Sequence, residues 1–411
     1  MLNYDCVVVG GGPAGLAAAK TASDNKASVL LIERSGKLGG ILNQCIHDGF
    51  GLTRFKEKLS GPEYAYKEEA GLKGTDVVVT LFTFVTKIKK TEDGFNITYV
   101  SQAGVTHVAC KSLILATGCR ERTSRQVAIH GTNPAGVMTA GQAQYYINIL
   151  GKMPVKKCTI LGSGDIGLIM ARRITLEGGK VEGVYELKPT PSGLTRNIAQ
   201  CLTDYNIPLH LSHTITRVYG ADRLEAVEIH QVDEHFKVIP DTKRIVKCDS
   251  LILSVGLIPE NELSKSLDIP MNNRTKGPSV DQEFMCLVDN VFTCGNAMHV
   301  NDLADYVSES GEIAGRNAAL SARTKRDLLE VNSDKNFAYI VPNYIDFNKK
   351  IEDIIFYFRS RDEFKNKRLK IYQNGEVIFK KVYANLKPPE MEKIVISLKQ
   401  KGELTFKLED M

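Results

Sequence analysis

The sequence has no C-x-x-C and no cluster of cysteine and histidine at ligand spacing. Its nine cysteines, at 6, 45, 110, 119, 158, 201, 248, 286 and 294, stand apart. That pattern argues against a zinc site, an iron–sulfur cluster bound by this chain and a disulfide scaffold, and no metal is expected. Most of these thiols should be small buried hydrophobes. No apolar run approaches the ~18 residues that span a bilayer, so no membrane span is expected. A long basic run is also missing. The formal net charge of +5 is spread through the chain, which reads as a solvated surface and argues against a nucleic-acid partner. No basic segment precedes the first strand, so a secretory leader is not expected and the cytoplasm is the expected compartment.

What is present is an ordinary globular composition, 411 residues with 43% hydrophobic and 25% charged, long enough for two or three domains. The strongest pattern lies in the first forty residues. Tyr4–Val9 reads as a buried strand running into Gly10–Gly11–Gly12–Pro13–Ala14–Gly15, a G-x-G-x-x-G turn. Leu16–Ala22 supplies a helix, and Ala27–Ile32 a second strand that ends at Glu33, with Arg34 beside it. Gly10 allows the tight turn, Gly12 lets the backbone approach a pyrophosphate, and Gly15 lets helix and strand pack closely. The helix start offers unpaired N–H groups to phosphate, and Glu33 can accept from both hydroxyls of an adenosine ribose. A glycine turn alone could be an ordinary loop. Strand, helix, second strand and terminal acid together point to a dinucleotide.

The loop Lys37–Gly51, which holds Gly39, Gly40, Asn43, Gln44, Cys45 and His47, leaves the second strand over the strand ends, where ligands bind. Residues 54–73 read as a helix, and 76–90, 95–100 and 105–109 as strands. Lys111–Leu115 is an apolar strand ending in Ala116–Thr117–Gly118, and Leu251–Gly256 repeats the form. A small residue plus glycine lets the chain cross close beneath a bound nucleotide. At Cys158–Leu161 the opening pattern returns: strand, Gly162–Ser163–Gly164–Asp165–Ile166–Gly167, a helix over 168–177, and a strand over 180–185 ending at Glu186. From first glycine to acid the two units measure twenty-three and twenty-four residues. The chain therefore carries two dinucleotide-binding units. Asn290–Ala297 is a strand entering Gly295–Asn296, and a helix is expected from about Ala304 to Thr324, with Gly311 and Gly315 inside it. From about Asn336 short alternating strands follow, with a type I′ hairpin signal at Asn374–Gly375. This tail reads as a small β-sheet or sandwich without a catalytic constellation.

Gly10-x-Gly12-x-x-Gly15 with Glu33, Ala116–Thr117–Gly118, Gly162-x-Gly164-x-x-Gly167 and Thr293–Cys294–Gly295–Asn296 resemble the pyridine nucleotide–disulfide oxidoreductase superfamily over about residues 1–325. The resemblance implies an α/β fold of two Rossmann-like domains, like glutathione and thioredoxin reductases, plus the C-terminal β module. It implies FAD on the first unit and NAD(P)H on the second, with FAD segments over 1–125 and 258–330, an NAD(P) domain over 126–257, and the module over 336–411. The candidate cofactor contacts are the glycine turns with Pro13, Ala14, Asp165 and Ile166, then Glu33, Arg34, Gly39, Gly40, Asn43, Gln44, Ala116–Gly118, Glu186, Gly256, Gly295 and Asn296. N–H groups around Asp305, Tyr306 and Val307 should face the flavin pyrimidine edge, where a helix dipole favours the anionic reduced ring. Glu186 favours NADH over NADPH, since a carboxylate suits two free hydroxyls and repels a 2′-phosphate; Arg196 lies downstream and works against this.

The stretches Gly39–His47 and Gly193–Asn197 are similar to a narrower group, bacterial FAD/NAD oxidoreductases associated with glycerol-3-phosphate dehydrogenase. Two departures stand out. Disulfide reductases of the superfamily carry paired cysteines beside the flavin or in the NAD domain, whereas here Cys45 is alone. The family's Gly-Asp appears as Gly295–Asn296, which can bond a ribityl hydroxyl without bringing charge. The expected reaction is hydride transfer between NADH and FAD. By the resemblance Cys45 is a thiolate or sulfenate centre and His47 a proton donor, or else both are packing residues of the loop. Three functions stay open. One is a component exchanging electrons with a partner dehydrogenase through a separate iron–sulfur or Cys-rich carrier. Another is a stand-alone NADH oxidase, peroxidase, quinone reductase or disulfide reductase using Cys45. The last is a nucleotide-sensing scaffold. A homodimer is expected only from the superfamily.

Overall fold

Strand β1, Leu2–Val9, ends in three β-branched valines, and its Cys6, Val7 and Val8 are fully buried. Each such side chain contributes ~1.5–3 kcal/mol of burial. In the computed structural model, residues 2–321 and 325–411 are described. The chain divides into two units, one up to Cys119 together with Pro259–Met411, the other Arg120–Ile258.

In the first unit, β1 enters helix α1, Pro13–Asp24, which starts on a proline and buries Ala14, Ala18 and Ala22. Pro13 suits the first helical position because its missing N–H has no partner there anyway. The next strand, β2, is Val29–Ile32. The central sheet has the order 78–80, β2, β1, 104–115, 95–101, 84–90, with 291–293 pairing to 104–115. Strand β3, Gly104–Leu115, is continuous where the sequence suggests two strands meeting near Cys110. Its first half pairs antiparallel with 95–101, and from Val108 onward it runs parallel to β1. Lys111 causes no break because it points outward and bonds Asp5 Oδ1 at 2.7 Å. The helix expected over 54–73 covers only Gly61–Ala70. Ser60 and Glu63 form a capping box with Pro62 just inside, which starts the helix there, while Thr53 and Arg54 spend their N–H groups on Asp305.

The second unit is layered. Strand β4, Lys157–Leu161, enters helix α2, Asp165–Leu176, and strand β5, Lys180–Glu186, follows. The five-stranded parallel sheet runs 137–139, 250–253, β4, β5, 209–211. Leu168, Ala171 and Ile174 of α2 pack on one face. On the other, Leu161, Tyr185 and Leu251 pack against Ile215, Val227 and Ile229 of a four-stranded sheet.

The first unit resumes with helix α3, Ala304–Leu320, which stops short of the expected end because Ser321 is extended, with ψ 125°; residues 322–324 of the expected helix lie outside the described residues. Helices α1 and α3 cross at very short range. A Cβ on Gly311 would stand 2.1 Å from Ala14 O, and one on Gly315 2.2 Å from Ala18 O. Only glycine permits that approach. The tail folds into a five-stranded and a three-stranded sheet enclosing Phe337, Phe356, Phe358, Leu369, Ile371 and Phe406. Strand β6, Ile354–Ser360, is central in the smaller sheet. At the hairpin, Asn374 and Gly375 have φ of 51° and 85°, both positive as a type I′ turn requires.

Candidate functional site

The first glycine turn is shaped by contacts that leave no room for side chains. Gly10 has φ +108°, and a Cβ there would lie 2.3 Å from Ala116 O; one on Gly15 would lie 1.8 Å from Gly10 O. At Gly12 a Cβ would meet nothing within 4 Å, so the outer side of the turn is open. No side chain caps α1, and its first-turn N–H groups are left for an anion. Glu33, 6% exposed, accepts from Gly11 N and Ser35 N, both at 2.6 Å. Its carboxylate is thus fixed at the end of β2 with oxygen lone pairs to spare for hydroxyls. An open cradle, an uncapped helix start and an anchored acid fit an adenosine diphosphate.

The surrounding candidates are sorted by their bonds. Gly40 covers the turn, since its Cβ would be 3.1 Å from Gly12 Cα, and Gly39 N donates to Gly11 O at 2.8 Å. Asn43 uses its amide on Leu38 O at 2.6 Å, while Gln44 is buried in the same loop. Arg34 faces the acid Glu260 in a two-pronged pair at 3.0 and 3.1 Å, and Thr117 Oγ1 donates to Glu260 O at 2.6 Å. Gly118, with φ +72°, accepts from Glu260 N. Gly295 N donates to Ser310 Oγ at 2.8 Å. Asn296 Oδ1 accepts from Asn301 N at 3.0 Å, and its amide reaches Cys119 Sγ at 3.4 Å. In the first turn of α3, Tyr306 N and Val307 N already bond Leu303 O at 3.2 Å. Asp305, 7% exposed, turns its Oδ2 to Thr53 N at 2.7 Å.

Cys45 donates to Ile41 O at 3.4 Å, and burial pushes its thiol up to about 12. Burial thus favours its neutral form, and none of the nine cysteines is joined in a disulfide. His47 is partly exposed and lies on Phe50, ring centres 5.1 Å apart.

The second turn repeats the first in detail. Gly162 has φ +93°, and its Cβ would be 2.1 Å from Ser254 O, so Ser254 stands where Ala116 stands in the first unit. Gly167 N donates to Ser254 Oγ at 3.1 Å. Glu186, 5% exposed, accepts from Ser163 N at 3.0 Å, Ser163 Oγ at 2.5 Å and Lys188 N at 3.1 Å. Each acid therefore binds the second residue of its turn and the residue two places beyond itself. Gly193–Asn197 folds back onto this turn: Asp165 Oδ1 accepts from Leu194 N at 2.9 Å and Asn197 Nδ2 at 2.7 Å, and Ser192 N donates to Ser163 Oγ at 2.8 Å. Gly164 sits over Ser254 Oγ, Ile166 packs against the core, and Gly256, with φ +96°, has open space at its α-carbon. Arg196 is exposed.

Sequence reasoning missed Glu260, Ser310 and Asn301, while Ser254 lies in the Leu251–Gly256 stretch that it marked. Glu260 acts on Arg34 and Thr117, far along the chain, and no local pattern marks it, Ser310 or Asn301.

The family model for pyridine nucleotide-disulphide oxidoreductases matches residues 4–323. One of the opine oxidase subunits of Agrobacterium tumefaciens (strain Ach5) is 24% identical over 78% of this chain and 65% of its own length. The HcnB subunit of hydrogen cyanide synthase from Pseudomonas aeruginosa is 26% identical over 80% of this chain and 72% of its own. The ferredoxin–NADP reductase of Leuconostoc mesenteroides is 23% identical over 74% and 88%. Among solved structures, T. acidophilum thioredoxin reductase superposes with a TM-score of 0.62 at 20% identity, over 78% of this chain and 99% of that one. The chain thus spans about two thirds of the first of these relatives and nearly all of the reductase fold.

Proposed function

The chain belongs to the pyridine nucleotide-disulphide oxidoreductase family, whose enzymes use FAD and NAD(P)H, and from that footing we propose a subunit that relays electrons to or from a partner. NAD(H) and FAD supply the hydride chemistry. The Gly10–Gly15 turn and Glu33 bind the adenosine diphosphate half of FAD, with Asn296 and the Asp305 turn toward the ribityl and ring end. The Gly162–Gly167 turn and Glu186 bind NAD(H). The preference for NADH rests on Glu186, which is buried, anchored by three donors and of the wrong charge for a 2′-phosphate.

The observation that carries the relay reading is that no second cysteine stands at C-x-x-C or similar spacing with Cys45, whose thiol burial pushes up to about 12. A disulfide reductase or peroxidase in this scaffold needs a reactive thiol beside the flavin, and burial withholds the thiolate here. Electrons therefore leave through a separate iron–sulfur or Cys-rich carrier to a partner dehydrogenase. Two relatives are named as subunits, which supports a multi-component enzyme. The resemblance of Gly39–His47 and Gly193–Asn197 supports a glycerol-3-phosphate-type partner. His47, partly exposed in the loop that leaves β2, is the proton donor of this reading.

The test is anaerobic reduction of the purified chain with NADH, then addition of acceptors one at a time. Stoichiometric reduction is expected, with slow reoxidation by peroxide and disulfides and fast reoxidation by a low-potential iron–sulfur protein. Sustained turnover with peroxide or a disulfide, abolished in Cys45→Ser, would overturn it.

A further inference from the structure

The C-terminal module grips the segment leading into α3 through charged and aromatic side chains, and Arg359 on β6 is the hub. Its Nε donates to Tyr339 Oη at 2.9 Å, and its Nη1 to the carbonyls of Pro388, at 3.2 Å, and Pro389. Its Nη2 donates to Val300 O at 3.2 Å and to Asp302 Oδ1. Asp302 Oδ2 accepts from Met391 N at 2.6 Å. Further along α3, Glu309 receives both Tyr357 Oη and Lys393 Nζ. The Tyr306 ring lies 5.6 Å from that of Tyr357 and 5.5 Å from Lys393 Nζ. His299, fully buried, is enclosed by the Tyr339 and Tyr357 rings.

The residue between the two that Arg359 holds is Asn301, whose N–H fixes Asn296 Oδ1 at 3.0 Å. The residue after them is Leu303, whose carbonyl closes the first turn of α3. One guanidinium therefore pins a segment with the Asn296 amide at one end and the Asp305 turn at the other. Its side chain is only 13% exposed, so these charge-assisted bonds are little screened, and the planar fork fixes direction as well as distance. A surface ion pair would not have that leverage.

We propose that Arg359 is a flavin-positioning residue: acting through Val300–Asp302, it fixes Asn296 and the first turn of α3 against FAD, and so makes the C-terminal module part of the cofactor site. The proposal rests on the reading of the first glycine turn as the FAD site.

The test uses the full-length chain as wild type, Arg359→Met, Arg359→Lys and Asp302→Asn. FAD affinity is measured by fluorescence titration of the apoprotein, the flavin midpoint potential by redox titration, and folding by tyrosine circular dichroism and thermal melting. Arg359→Met is expected to weaken FAD binding by about tenfold, ~1.4 kcal/mol, and to move the potential. Arg359→Lys should recover part of both. Asp302→Asn leaves the other Arg359 acceptors in place and should shift both in the same direction by less, so the test survives if Arg359→Met fails to fold. NADH affinity should stay within about twofold, since the Glu186 turn lies in the other unit. Variants that melt earlier yet keep wild-type FAD affinity and potential would show Arg359 to be structural only and overturn the proposal. A wild-type chain that takes up no FAD would instead overturn the proposed function beneath it.

Discussion

Replacing Glu186 by Gln probes the proposed preference for NADH most directly. The carboxylate takes three donors, Ser163 N, Ser163 Oγ and Lys188 N, and all three N–H or O–H groups point at oxygen. The amide keeps one oxygen, so one donor is left facing an NH2 group, and every remaining bond loses its charge. Hydrogen bonds to a charged partner contribute about 1.5–3 kcal/mol against about 1 for neutral ones. The ribose hydroxyls of NADH would then meet a neutral amide in place of a carboxylate, and binding should weaken by ~1–2 kcal/mol, or about five- to thirtyfold. For NADPH the same change also removes repulsion. Two unit charges ~4 Å apart at an effective dielectric of about 20 cost ~4 kcal/mol, an upper bound for this partly open site. The selectivity for NADH should fall by about a hundredfold or more. Rapid-mixing measurements of flavin reduction by each nucleotide, over a concentration series, give the ratio. If the ratio stays within a factor of about three in a variant that folds normally, Glu186 does not select the nucleotide and the argument is wrong.

Three other changes test the surrounding account. Gly311→Ala places a Cβ 2.1 Å from the Ala14 carbonyl, forcing α1 and α3 apart; urea unfolding should show a loss of ~1–3 kcal/mol, and an unchanged midpoint would mean the helices are not in that contact. Burial pushes the Cys45 thiol up to about 12, so iodoacetamide near neutral pH should leave Cys45 unmodified in the native chain. Rapid, stoichiometric labelling of that residue by peptide mass spectrometry would reveal a thiolate. His299 is pushed down from 6.5 to about 3, first by burial and then by the Arg359 charge. Its folded value lies below the unfolded one, so the stability it contributes is present above pH 6.5 and is lost as pH falls toward 3. That loss amounts to ~1.4 kcal/mol per pH unit from this group, and His299→Gln should flatten the slope by that amount; an equal slope in both proteins would refute it.

Much of the fold and of the two cradles is legible in the sequence because glycine is demanded where backbones touch. Gly10 and Gly162 each sit against a carbonyl from another strand, and Glu33 and Glu186 each close the strand that follows. Such constraints are local and repeat with the motif. The Asn374–Gly375 turn is legible for the same reason. The start of the helix Gly61–Ala70 is not, because residues 54–58 look compatible with helix and nothing local shows that Thr53 and Arg54 are drawn to Asp305, about 250 residues away. Strand β3 reads as two because Lys111 interrupts an apolar run, yet its partner Asp5 lies on the neighbouring strand. The grip of Arg359 on Val300 and Asp302 is invisible for a related reason: one long side chain joins a β module to a distant loop, and no spacing records it.

The central claim is that the two glycine turns hold two different dinucleotides, FAD on the first and NAD(H) on the second. The direct measurement is anaerobic titration of the purified chain with NADH, following the visible flavin absorption. A yellow protein with one FAD per chain is expected, whose flavin band bleaches with one equivalent of NADH, while Gly12→Val abolishes the colour and Gly164→Val keeps the colour but prevents bleaching. A colourless chain that takes up no FAD, or a flavin that NADH leaves oxidised, would contradict it.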